Sequence, residues 1–144
     1  MRGVLMDTGP LVSYLHPRDA YHSWAKETFD ELVPPFLTCE PVLAEASFLV
    51  ARVRLPPSRV LEYVSRGGVR IGLRLDEELG AIQALMDRYA NVPMSLADAC
   101  LVRLAETTGL PICTLDSDFN IYRARGRRSL DLITPPAPRF LHEP

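Results

Sequence analysis

Five short, mostly apolar runs punctuate this chain: "GVLM" at 3–6, "FLTC" at 36–39, "VRIGL" at 69–73, "PICTL" at 111–115 and "LDLIT" at 130–134. A strand with one wet face alternates apolar and polar residues. A strand without a polar side must be covered on both faces, which is the condition of strands in a parallel sheet. The stretches between the runs have helical spacing, so the chain is expected to be α/β: a three-layer α/β/α arrangement around a central, mainly parallel sheet of about five strands. In open sheets of this kind the working groups gather beyond the carboxyl ends of the strands. Asp7 and Asp116 each follow an apolar run directly and stand at that edge.

The helical segments carry their own punctuation. Pro10 is placed near the start of a first helix, and residues 20–33 read as a second. Pro41 opens a helix to about Val53, "PPSRVLEYVSRGG" has a proline start and a glycine stop, and another helix spans about Asp76 to Ala90. Ser95 caps a helix that stops at Gly109. No repeat or linker divides the chain, so residues 1–144 read as one domain with a proline-rich ending at 135–144.

Two of these helices hold an acid among apolar residues. Asp98 shares a stripe with Leu101, Val102 and Ala105, and Glu45 lies over Val42 and Leu49, facing inward or into a cleft. Asp118 follows in "TLDSDF". Each acid has an ordinary use. Asp98 is the third residue after Ser95 and fits a capping box. Asp7 before "TGP" fits a helix cap or turn, "DSD" fits an Asx turn, and Glu45 fits an ion pair with an arginine. Together they pose a harder problem. Two carboxylates 4 Å apart repel by about 4 kcal/mol at an effective dielectric of about 20, so a convergent set needs protons or cations. Carboxylates without His or Cys neighbours suit a hard cation, Mg2+ or Mn2+.

Composition narrows the classes further. The 47% apolar and 24% charged residues are what a soluble globular protein shows, and no apolar run approaches the length of a membrane span. The absence of a signal peptide points to the cytoplasm. Cys39, Cys100 and Cys113 lack CxxC spacing and read as reduced, buried thiols, while His16, His22 and His142 are scattered. Net charge is −2, yet fifteen of the sixteen basic residues are arginine, with six in 51–74 and four in "YRARGRR". These are either solvated surface or contacts to phosphate, which the planar guanidinium suits. Gly9 stands where a haloacid-dehalogenase-like phosphatase needs an acid, the only lysine is Lys26 where a receiver domain needs one late in the chain, and no P-loop is present.

The segments "VLMDTGPLVSYL", "PVLAEASFL", "SLADACLV" and "TLDSDF" resemble, in order and spacing, the four acidic motifs of PIN-domain ribonucleases, with VapC-type toxins of toxin–antitoxin pairs the nearest likeness. The resemblance runs from Met1 to about Thr134; the ending "PPAPRFLHEP" falls outside it. It implies an acidic pocket in which Asp7, Glu45, Asp98 and Asp116 are catalytic and hold Mg2+ or Mn2+ directly or through water. Asp118 matches a position of variable role, and Thr8 and Thr114 match positions that orient the carboxylates. The activity implied is endonucleolytic hydrolysis of RNA, leaving 5′-phosphate and 3′-hydroxyl ends. Arg52, Arg54, Arg123, Arg125, Arg127 and Arg128 are the candidate RNA contacts. A homodimer and a small antitoxin are the implied partners, with residues 42–66 as a docking surface. A free-standing PIN nuclease of RNA processing, or an inactive PIN scaffold or RNA-binding protein, are the alternative readings.

Overall fold

The strand at the centre of the sheet, β1 (Val4–Met6), has all three residues buried, as its unbroken apolar run requires. In the computed structural model, which describes residues 2–136, it pairs in parallel with β2 (Phe36–Thr38) on one side and β4 (Ile112–Cys113) on the other. The edges are β3 (Arg70–Ile71) and β7 (Leu132–Ile133), also parallel, giving a five-stranded order β3-β2-β1-β4-β7. The proline-rich ending from residue 137 onward, with His142, lies outside the described residues.

Chain order runs outward from β1 to β3 and then reverses to β4 and β7. The point of reversal lies between β1 and β4, and open α/β folds place a crevice at that point. Helices α1 (Thr8–Leu15) and α2 (His22–Glu31) connect β1 to β2 and pack on each other. Helices α3 (Glu40–Arg52) and α4 (Arg59–Ser65) connect β2 to β3, while α5 (Leu79–Arg88) and α6 (Leu96–Thr108) return the chain to β4 as a second packed pair. Crossovers that run in opposite directions along a parallel sheet, right-handed as a rule, place helices on both faces. Leu5, Met6, Leu11, Val42, Val50, Leu101, Val102 and Ile112 form the fully buried centre. The three cysteines are buried and form no disulfide. No helix among the described residues is long and apolar enough to cross a membrane.

The elements depart from expectation in two places. The helix expected from Asp76 begins at Leu79, because Leu75–Glu77 form a separate 3-10 turn in which Asp76 and Glu77 pair with Arg74. The arginine run holds an unexpected antiparallel hairpin, β5 (Arg123–Ala124) and β6 (Arg128–Ser129). Its turn places Arg125 at φ 54° and Gly126 at φ 72°, the left-handed pair that a tight hairpin turn demands. Gly126 admits the guanidinium of Arg88, which a Cβ at that position would strike.

Candidate active site

Asp7 leaves the carboxyl end of β1 and caps α1: its Oδ1 accepts the Thr8 N–H at 2.8 Å. The capping reading therefore holds, but it uses only one oxygen. Oδ2 accepts the Thr114 hydroxyl at 2.6 Å, and the Thr114 oxygen in turn accepts the Asp116 N–H at 2.9 Å. One fully buried threonine thus ties the acid after β1 to the acid after β4, across the point where strand order reverses. Asp7 is only 7% exposed. Burial pushes its carboxyl up to about 6; the two threonine hydrogen bonds oppose this, and the charges of Asp98 and Asp116 add to it. Asp116 is exposed and accepts the Asp118 N–H at 2.9 Å, so the "DSD" segment is indeed an Asx turn, opening the 3-10 turn Ser117–Asn120.

On α6 the Asp98 N–H donates to Ser95 Oγ at 3.0 Å, as the capping box predicts. Asp98 is half-buried rather than in the core with Leu101, Val102 and Ala105, because it sits at the pocket end of their stripe. Burial raises its pKa, and hydrogen bonds from Tyr122 and Ser95 hold it down. Glu45 resolves in favour of the cleft. The buried face of α3 is Val42, Leu43, Ala46 and Val50, while Glu45, Ala44, Phe48 and Leu49 turn to the pocket. Its Oε1 accepts the Thr8 hydroxyl at 2.9 Å, not an arginine. Thr8 and Thr114 therefore each hold an acid.

These groups line one pocket of about 890 Å3, with Asp7, Glu45, Asp98, Asp116 and Asp118 on its walls and, among the described residues, no Lys, Arg or His. Phe48, Leu49, Pro93 and Leu115 supply an apolar rim. Among the described residues, no basic group forms an ion pair with any of the five acids. Nor do any three of His, Cys, Asp or Glu stand together as a finished metal shell among those residues. An open, all-oxygen, uncompensated set of this kind fits Mg2+, which keeps several waters and takes only one or two carboxylates directly.

Sequence reasoning missed Tyr122, whose hydroxyl donates to Asp98 Oδ2 at 2.8 Å. Its only signal was an aromatic at the head of an arginine run. The six candidate arginines divide. Arg123 folds its Nη1 onto the carbonyls of Asn120, Ile121 and Tyr122, which makes it a clamp on its own backbone. Arg52 lies over the Phe48 ring at 5.7 Å, beside the rim. Arg54, Arg125, Arg127 and Arg128 are exposed.

In sequence, residues 4–125 match the family model of the PIN domain. The crystal structure of Mycobacterium tuberculosis VapC20, described as a sarcin–ricin-loop-cleaving toxin, shares the fold with a TM-score of 0.68. The two are 23% identical, with 82% of this chain and 93% of that chain covered. No curated protein matches the sequence.

Proposed function

Because the chain belongs to the PIN domain family, we propose that it is a cytoplasmic Mg2+- or Mn2+-dependent endoribonuclease. The observation that carries this reading is the set of five carboxylates on one pocket, with no basic residue lining it among the described residues. The carboxylates of Asp7, Asp98 and Asp116, directly or through water, with Glu45 and Asp118 beside them, would hold the cation. When bound, such a cation neutralises charge on the phosphate and makes water a stronger nucleophile.

The chain's own residues supply the rest. Asp7 is fixed through both oxygens by Thr8 and Thr114, so its remaining lone pairs point from a rigid floor. Glu45 is exposed and held by one hydroxyl, which suits it to orient the attacking water and accept its proton. Exposed Arg52, Arg54, Arg125, Arg127 and Arg128 contact the RNA backbone, and unpaired bases supply sequence choice.

The shared fold with VapC20 supports a place as the toxin of a toxin–antitoxin pair, acting on structured RNA and restrained by a small antitoxin. The exposed apolar residues Phe48 and Leu49 on α3, Val53 just after it and Leu61 on α4 support a docking face within 42–66, for the antitoxin or for a second copy. A nuclease that no small protein partner restrains would instead be a free-standing PIN ribonuclease.

Cleavage of structured RNAs tests the reaction. Activity is expected with Mg2+ or Mn2+, to vanish in EDTA and return when metal is restored. Asp98→Asn is expected to lower it by roughly a hundredfold or more. Full activity in chelator, or in the variant, rejects the mechanism.

A further inference from the structure

Tyr122 is the largest fully buried side chain among the described residues, and the sequence places it immediately before the β5–β6 hairpin. Its ring is gripped edge-on by Tyr89 at 5.1 Å and by Phe119 at 5.3 Å between centroids. The backbone beside it is pinned as well: the Arg123 N–H donates to the Tyr89 hydroxyl at 2.9 Å, and Arg123 Nη1 donates to the Tyr122 carbonyl at 3.0 Å. Packing of this kind needs only a phenyl ring. A buried phenol must find an acceptor or lose its hydration uncompensated, and the acceptor here is Asp98 Oδ2.

A carboxylate on a helix rotates freely about its terminal torsion unless something holds it, because that torsion has broad minima. The Asp98 N–H bond to Ser95 Oγ fixes the helix end, and Ser95 also favours the ionised carboxylate from the helix side. The phenol, delivered by a rigid aromatic cluster, occupies one carboxylate oxygen and sets the plane of the group. We propose that Tyr122 is a positioning residue for Asp98, presenting that carboxylate to the divalent cation. This rests on reading the pocket as a cation site. The hairpin then serves the pocket from behind, in addition to any contact its exposed arginines make with RNA.

Mn2+ titration of the full chain by calorimetry, on wild type, Tyr122→Phe and Tyr89→Phe, separates positioning from packing. Tyr122→Phe keeps the ring and removes only the hydroxyl. Tyr89→Phe breaks the bond to the Arg123 N–H in the same cluster without touching Asp98. Tyr122→Phe is expected to weaken Mn2+ binding about tenfold or more, as loss of a group that orients a ligand does. Tyr89→Phe is expected to lower the thermal midpoint while leaving Mn2+ affinity unchanged. Equal affinity in wild type and Tyr122→Phe overturns the proposal, and so does an equal loss in both variants, which would trace the effect to a loosened hairpin. Wild type that binds no Mn2+ sinks the cation-site reading itself, a different failure.

Discussion

Asp7→Asn is expected to abolish RNA cleavage and, in the same molecule, to make the metal-free protein more stable at pH 7. The Asp7 carboxyl has an ordinary value of 3.8 and is pushed up to about 6, with burial the main cause. Between those values the folded state holds a proton that the unfolded chain has released. The contribution of this group to stability is therefore complete below about 3.8 and is lost as pH rises through about 6. The displacement corresponds to a cost of about 3 kcal/mol at pH 7. Asparagine removes the charge but keeps only one acceptor for the two donors, Thr8 N–H and Thr114 O–H, so the net gain is about 1–2 kcal/mol. That corresponds to a rise in Tm of roughly 2–8 °C in chelator at pH 7. The advantage should shrink by pH 5. Thermal unfolding at the two pH values, beside the cleavage assay, checks both halves. A variant less stable than wild type at pH 7 would contradict the electrostatic account of the pocket.

Thr114→Val carries the second large effect. The two side chains have nearly the same shape, so the core is undisturbed, but the substitution strands two groups at once. Asp7 Oδ2 loses its donor and the Asp116 N–H loses its acceptor. About 1–3 kcal/mol of stability should be lost, the usual cost of leaving buried polar groups unpaired. Metal affinity should fall about 10–100-fold, because two carboxylates lose their orientation together. The sign of the pH effect is also determined. The Thr114 hydrogen bond favours ionised Asp7, so without it the Asp7 carboxyl of the metal-free protein titrates at higher pH. Thr114→Ser restores the hydroxyl and should recover affinity to within a few fold. Unaltered Mn2+ binding in Thr114→Val would show that the threonine only packs.

Much of this arrangement could be read before any coordinates. Buried strands announce themselves because residues such as Val4, Leu5 and Met6 have no polar face to show. The rule about strand ends then located Asp7 and Asp116 without further help. For Asp7 and Asp98 the capping and the pocket readings turned out to be compatible: Asp7 caps α1 with one oxygen, Asp98 donates its N–H to the Ser95 cap of α6, and both carboxylates line the pocket. What could not be read depends on groups meeting across the fold. Glu45 faces the cleft because the neighbouring face of α3 is uncovered, which helical spacing alone does not reveal. The β5–β6 hairpin is made by two left-handed residues, Arg125 and Gly126, and not by alternation of apolar and polar side chains. Tyr122 and Arg123 lay hidden inside that segment, where a run of positive charge masked one aromatic anchor and one backbone clamp.

Titration of Mn2+ into the metal-free protein at pH 7.5, followed by calorimetry in parallel with Asp7→Asn, bears most directly on whether these carboxylates act as one cation site. Saturable binding to wild type, weakened at least a hundredfold in the variant, is the result the account predicts. No heat of binding in wild type, or the same affinity in both proteins, would contradict it.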